Sequence, residues 1–332
     1  MFTIGQRVSE IYKTGKLYPG VIAELRERRE TDAYVKFDDG DAAWVDVANL
    51  TERQPNRVQQ TIDGITFQLE EEYDFSFISK YGKVFRVFDN SLSGAICFGV
   101  EKSGKRYFLK FAGAKTWNAT CTNIEDIIMM LKISVPKYKA LKHPLLINQI
   151  DAEEIGGGFI AVYDWFDGEG CGYMHPEMQK KFLALPSKEK QRVYEGILAF
   201  HAHVIDCGYI AIDFNNGSTL YNFDNRNFAF CDIDFYAKQC QISGWSGVWG
   251  DPSLKSPEES RGYSVITEVS NVYTMGATAF YFFAENDKVT REKWTLSNEL
   301  YEVARKAINE QRSGRQQTIK EFIGEWERVS VR

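Results

Sequence analysis

GYIAIDFNNGSTLYNFDNRNFAFCDIDFYAK, residues 208–238, ends one apolar run on Asp213 and a second on Asp232 and Asp234. Residues 218–223 and 227–233 read as the two strands of a hairpin turned at 224–226, which folds the second run back on the first. Three carboxylates then gather at strand ends with no balancing arginine there. Such a group is costly unless a cation neutralises it, and hard oxygen donors favour Mg2+ over zinc. Acids solvated in loops are the competing reading, and the hairpin alone leaves both open.

Outward from this hairpin the pattern changes character. Upstream, YDFSFISKYGKVFRVFD (73–89), GAICFGVEKSG (94–104) and KRYFLKFAGA (105–114) read as strands bounded by Gly, Asp or Asn. GGFIAVYDWFDGEG (157–170) adds a strand that ends in an acidic, glycine-rich connector. Residues 124–141 carry a helical pattern that Pro136 is expected to kink or divide. Downstream, helical patterns take over at 187–205, 269–284, 298–309 and 318–328, the first opened by Ser187. Strands first and helices after mark a segregated α+β architecture, with a cleft expected where the portions meet. Ahead of both, residues 2–50 alternate short apolar pieces with turns, including an Asp39-Gly40 hairpin, and read as a small curled sheet or barrel. TERQPNRVQQ (51–60), polar and holding Pro55, reads as a linker.

The 332 residues are 44% hydrophobic and 26% charged, which suits globular domains and excludes a mainly disordered chain. A net charge of -6 argues against holding phosphate backbones as the main task, so no nucleic-acid partner is expected. No membrane is expected either: MFTIGQRVSE lacks an apolar signal stretch, and the longest near-apolar run, Val272 to Ala284, is too short to span a bilayer. Six cysteines, at 97, 121, 171, 207, 231 and 240, show no C-x-x-C pairing. That disfavours structural zinc and a secreted disulfide framework, and a reducing cytoplasm fits best.

Taken in chain order, segments across residues 73–328 resemble the protein-kinase-like phosphotransferase superfamily. Tyr81-Gly82-Lys83-Val84-Phe85-Arg86-Val87 is similar to the loop that covers the phosphates, and Phe108-Leu109-Lys110-Phe111 to the third strand with its phosphate-contacting lysine. Leu141-Lys142-His143-Pro144 matches the segment after the first helix. Val162-Tyr163-Asp164-Trp165-Phe166-Asp167-Gly168 is similar to the hinge that receives adenine. Phe200-His201-Ala202-His203 through Gly208-Tyr209-Ile210 resembles the approach to the catalytic loop, with Asp213 in the place of the catalytic aspartate. Ser256-Pro257-Glu258 resembles the end of the activation segment, Asn271 to Gly276 the start of the buried central helix, and Arg315 the arginine that pairs with that glutamate. The resemblance implies a two-lobed fold, with a β-rich lobe and hinge at 66–166 and a helical lobe at 167–332. Residues 1–55 resemble an SH3-like barrel of the Tudor type, in which Tyr18, Phe37 and Trp44 either cage a modified peptide side chain or fill a small core.

The resemblance implies ATP as substrate with Mg2+ or Mn2+, and assigns residues accordingly. Asp213 and Lys110 are the catalytic pair, Gly82, Lys110, Asp164 and Phe166 contact the nucleotide, and Asp232, Asp234, Asn216 and Ser218 are the metal ligands. Several positions depart from the family pattern. Lys80 and Phe85 stand where further glycines belong, Ala211-Ile212 replace His-Arg, Ser218 replaces the metal-binding asparagine, and Ser134 stands where the first helix should offer a glutamate. Asp232-Ile233-Asp234 in place of Asp-Phe-Gly implies a second carboxylate for the metals. A Ser/Thr protein kinase is the reading favoured by the Glu258 and Arg315 framework. A small-molecule kinase of the aminoglycoside type and a nucleotide-binding pseudokinase are the alternatives.

Overall fold

A computed structural model describes residues 4, 7–11, 17–25, 32–37, 42–47, 50–52, 56–117, 119, 123–172, 175–238, 241–243, 251, 253–260 and 264–330. The protein is α+β, and it divides into two compact units. One holds Met1–Val135 and Gln149–Trp165, the other Pro136–Asn148 and Phe166–Arg332.

The first unit opens with β1 (Arg7–Ile11), β2 (Leu17–Leu25), β3 (Asp32–Phe37), β4 (Ala42–Asp46) and β5 (Leu50–Glu52), an antiparallel sheet in the order β4-β3-β2-β1-β5. Alternation turns Ala33 and Val35 inward, onto a core with Val8, Ile22, Val45 and Leu50. Tyr34 takes the other face, where its ring lies 5.3 Å from that of Trp44, itself 39% exposed. The Asp39-Gly40 turn and the side chains of Tyr18 and Phe37 lie outside the described residues.

Next come the hairpin of β6 (Val58–Ile62) and β7 (Ile65–Leu69), then β8 (Lys83–Phe88), β9 (Ile96–Lys102) and β10 (Lys105–Ala112). The helix α1 (Ile124–Ala140) precedes β11 (Gln149–Ile155) and β12 (Gly158–Asp164). These five later strands form an antiparallel sheet ordered β11-β12-β10-β9-β8. One face of it, with Phe98, Leu109, Phe111, Ile160 and Val162, packs on Phe67 and Leu69 of the hairpin and on Phe75 and Ile78. A bulge between Val84 and Arg86 sets the Phe85 ring 4.8 Å from Trp165, in the space that opens above Gly99. A Cβ on Gly99 would come within 2.8 Å of Phe85. The helix α1 runs through Pro136 as one element, although that residue lacks an amide to donate. The division between the units falls on the same peptide bond, Val135 to Pro136.

The second unit contains β13 (Glu169–Gly170), α2 (Pro176–Leu183), α3 (Ser187–Asp206), β14 (Tyr209–Ile210), β15 (Thr219–Tyr221), β16 (Phe228–Phe230), β17 (Ala237–Lys238) and β18 (Gln241–Ser243). Then follow α4 (Pro257–Ser260), β19 (Ser264–Ile266), α5 (Glu268–Phe283), α6 (Asn298–Ala307) and α7 (Ile319–Ser330). Helix starts expected at 187, 269, 298 and 318 stand at 187, 268, 298 and 319. A capping box between Thr267 and Ser270 fixes the start of α5, and its apolar run is buried from Val272 to Phe283 apart from Tyr273. Around it Tyr194 of α3 meets Trp326 of α7 at 4.9 Å and donates its hydroxyl to the Met275 carbonyl at 2.8 Å. Among the described residues, no helix is long and apolar enough to cross a membrane. Among the described residues Cys97, Cys171, Cys207 and Cys231 form no disulfide, and Cys121 and Cys240 lie outside the described residues.

Candidate active site

The hairpin expected from residues 218–233 forms as β15 paired with β16. Asn222 closes its turn by accepting the amides of Asp224 at 2.9 Å and Asn225 at 3.0 Å. At the open end the Cys231 amide donates to the Ser218 carbonyl at 2.9 Å, which brings the segment carrying Asp232 beside the loop that follows Asp213. Upstream of that loop, Asn271 of α5 grips Ala211 on both sides. Its Oδ1 accepts from the Ala211 amide at 2.8 Å and its Nδ2 donates to the Ala211 carbonyl at 2.6 Å. Asn215 then orders the next turn, donating to the Asp213 carbonyl at 3.1 Å and accepting from the Gly217 amide at 2.8 Å.

The two aspartates so placed share an unusual backbone. Asp213 has φ 67 and Asp232 φ 59, the left-handed region that residues with a Cβ enter only when their surroundings hold them there. Asp213 is half-buried, but its Oδ1 is shut off from solvent and has no hydrogen-bond partner. Burial raises its carboxyl, the nearby charges of Asp232, Glu259 and Asp234 raise it further, and Lys255 opposes them; the outcome is a pKa of about 8. On the same loop the Asn216 amide, both oxygen and nitrogen, and the Ser218 hydroxyl are buried without partners, as is the Thr219 hydroxyl. A buried polar group left bare costs about 1–3 kcal/mol. Four of them on one short loop therefore point to a ligand.

The last turn of α1 meets the second aspartate. Tyr138 accepts from the Asp232 amide at 3.0 Å, and the Lys137 ammonium donates to the Asp234 carbonyl. Burial lowers the Lys137 pKa and the Asp234 charge works against that. On the other side, Ser256 and Glu259 cap the start of α4 reciprocally. Glu259 accepts from the Ser256 hydroxyl at 2.7 Å and amide at 3.0 Å, which fixes the segment carrying Lys255. Lys255 feels the charges of Asp213, Glu259 and Asp251. Neither lysine was singled out from the sequence, because both reach this site from elements distant in the chain.

His201 has a structural place in the core of the second unit. His201 donates from Nδ1 to the Ile197 carbonyl at 2.8 Å, so its Nε2 accepts from Tyr236 at 3.1 Å, and burial holds the ring neutral with a pKa of about 4. Ser134 is fully buried and returns its hydroxyl to the Leu131 carbonyl at 2.8 Å.

The remaining candidates belong to other places. In the first unit Lys110 lies mid-strand on β10, opposite Cys97 of β9 and Ala161 of β12, on the sheet face away from Leu109 and Phe111. Asp164 ends β12 and is exposed. Gly82 has φ 137, and a Cβ there would stand 2.4 Å from the Glu101 carbonyl oxygen, so the glycine is required by the hairpin itself. In the second unit Phe166 starts a tight turn, its carbonyl accepting from the Gly168 amide at 2.9 Å. Among the described residues, no three His, Cys, Asp or Glu side chains form a ready metal cluster. No protein-family profile matches the chain, and no match is found among curated proteins.

Proposed function

We propose that the chain is an ATP-dependent phosphotransferase that passes the γ-phosphate to a hydroxyl, with a Ser or Thr of a protein as acceptor. Its fold on this reading is the two-lobed, kinase-like one, preceded by an SH3-like barrel. The observation that carries the proposal is the bare, buried set of polar atoms on Asp213, Asn216 and Ser218, next to a second aspartate held, like Asp213, in left-handed backbone. Oxygen donors of this kind fit a hard divalent cation such as Mg2+ or Mn2+. Topology adds support, since α1 is inserted between the third and fourth strands of the β8–β12 sheet and Lys110 lies on the third. So does the fork between Glu258 and Arg315, at 2.7 and 3.0 Å, which favours a protein acceptor over a small molecule.

Bound, the cation supplies positive charge to the triphosphate as the transferred group loosens from its leaving oxygen. Asp232 and the oxygens of Asn216 or Ser218 would hold it, with Asp234 as the further carboxylate. Lys110 would offset charge on the phosphates. Asp213 would orient the acceptor hydroxyl and take its proton late, as the new O–P bond forms. Positive charge placed beside Asp232 removes one of the causes that raise the Asp213 pKa, so a loaded site frees Asp213 to act as base. A nucleotide-binding pseudokinase is the second reading, favoured by Gly82, whose missing side chain the Glu101 carbonyl already explains.

Transfer from γ-labelled ATP, with Mg2+ or Mn2+, to the chain itself, to Ser/Thr peptides and to sugars tests these readings. Labelled protein or peptide is the expected result. Label on sugars alone would select the small-molecule branch, and ATP binding without transfer the pseudokinase. No heat of ATP uptake at any metal concentration would end the proposal.

A further inference from the structure

Two neighbouring residues in the last turn of α1 each reach one end of the Asp232-Ile233-Asp234 triplet. Tyr138, 6% exposed, accepts through its hydroxyl from the Asp232 amide at 3.0 Å. Lys137 donates from its ammonium to the Asp234 carbonyl. Between them Ile233 is fully buried, so the triplet is held at both ends and in the middle. The backbone under this grip is the strained one, with Asp232 at φ 59. Tyr138 accepts the amide of Asp232 itself, the residue in left-handed backbone. One turn earlier Ser134, where the kinase resemblance leads one to look for a glutamate, turns its hydroxyl back to its own helix. The contribution of α1 to this loop is therefore made by its last turn.

We propose that Tyr138 and Lys137 are positioning residues that clamp the Asp232 loop and so aim the Asp232 carboxylate at the cation and phosphates of the transfer. The inference rests on the function proposed above for this site. It adds a device that works before any ligand arrives, because both hydrogen bonds exist in the protein alone. With the amide of Asp232 and the carbonyl of Asp234 both tied, the backbone from which the Asp232 carboxylate projects is already in place.

The test uses the full chain and the variants Tyr138→Phe, Lys137→Met and Lys137→Arg. Hydrogen exchange at the amides of residues 230–236 is read without metal or nucleotide, and Mg2+-ATP binding is read by calorimetry. Loss of one hydrogen bond in Tyr138→Phe should speed exchange at Asp232 about tenfold and weaken Mg2+-ATP binding by a comparable factor. Lys137→Met frees the Asp234 carbonyl and should speed exchange across the neighbouring amides of the loop, with Lys137→Arg restoring wild-type behaviour. Tyr194→Phe is the control for mere loss of a buried hydroxyl: it should lower the melting temperature and leave both readouts alone. Unchanged exchange in both Tyr138→Phe and Lys137→Met, or changed exchange with undiminished Mg2+-ATP binding, overturns the clamp while the function stands. A wild-type chain that takes up no Mg2+-ATP overturns the function, and the positioning role with it. If Tyr138→Phe does not fold, the Lys137 pair decides.

Discussion

Two buried acids of the second unit, Glu258 and Asp213, are treated in opposite ways. Burial pushes the Glu258 carboxyl up, but hydrogen bonds from Arg315 and Ser270 more than offset it and leave the group below its usual range. The Arg315 guanidinium is used completely, with Nη1 and Nη2 on Glu258 and Nε on the Asn309 carbonyl at 2.6 Å, while its face covers the Tyr273 ring at 4.9 Å. Arg312 adds a second cation at 3.4 Å from Glu258. Asp213, with its Oδ1 also shut off from solvent, is left with that oxygen bare and a pKa of about 8. A fold that pairs one buried carboxylate so fully within the same unit has not run out of partners. The open valences around Asp213 are better explained by what binds there than by poor packing.

The comparison breaks most violently at Arg315. Arg315→Ala leaves Glu258 buried without its fork and should cost about 3–5 kcal/mol in denaturant unfolding. Acid should erase the same pair gradually. Because the folded pKa of Glu258 is depressed, its contribution is fully present above the unfolded value of about 4.3 and is lost as pH falls through the lower folded value. Glu258→Gln should therefore be less stable than wild type at neutral pH and converge on it in acid. A constant gap down to the lowest pH would show that the carboxylate charge is not what holds the pair.

At Asp213 the opposite outcome is expected. Asp213→Asn should lower phosphate transfer by about 10²–10³-fold, the scale of one lost electrostatic contact in a transition state, with the fold intact. It should also melt higher than wild type. The folded pKa of Asp213 is raised, so wild-type stability is intact below the unfolded value of about 4 and declines as pH rises to about 8, where ionisation is forced on the buried group. Asparagine does not ionise, so the melting gap in chelator-treated buffer should open across that window. A variant less stable than wild type at pH 8 would show Asp213 to be a structural acid like Glu258.

The sequence carried the hairpin and the helices because their signals are local. Asp224 to Arg226 is turn chemistry between apolar runs, and the pattern from Val272 onward is a buried helix whatever surrounds it. Asp213 and Asp232 stood out for the same reason, each closing an apolar run, whereas Asn216 and Ser218 entered only through the kinase resemblance. What the sequence did not carry are long-range grips made by side chains with ordinary local roles. Asn271 opens a helix yet spends its amide on Ala211, and Lys137 and Tyr138 look like the polar and apolar faces of a helical turn. The left-handed conformation of two aspartates leaves only a faint trace in residue type, since Asp enters that region more readily than most residues with a Cβ but glycine is its usual mark. At Pro136 the helix is not divided. Its neighbours keep α1 helical through it, and the boundary between the two units falls at the same place.

The finest test of the comparison lies between two serines. Ser256 spends its hydroxyl on Glu259 at 2.7 Å, whereas the Ser218 hydroxyl is buried and bare. Ser256→Ala should therefore destabilise by about 1–3 kcal/mol, since it strips a buried carboxylate of a donor. Ser218→Ala removes a group that has no partner to lose, and its unfolding free energy should stay within about 0.5 kcal/mol of wild type or rise slightly. If the hydroxyl awaits a cation, the same alanine must weaken Mg2+-ATP binding while leaving the empty protein untouched. Calorimetry and denaturant unfolding on one preparation separate the two effects. An alanine neutral in both would make Ser218 a packing residue and leave Asn216 to supply the neutral oxygen beside Asp232.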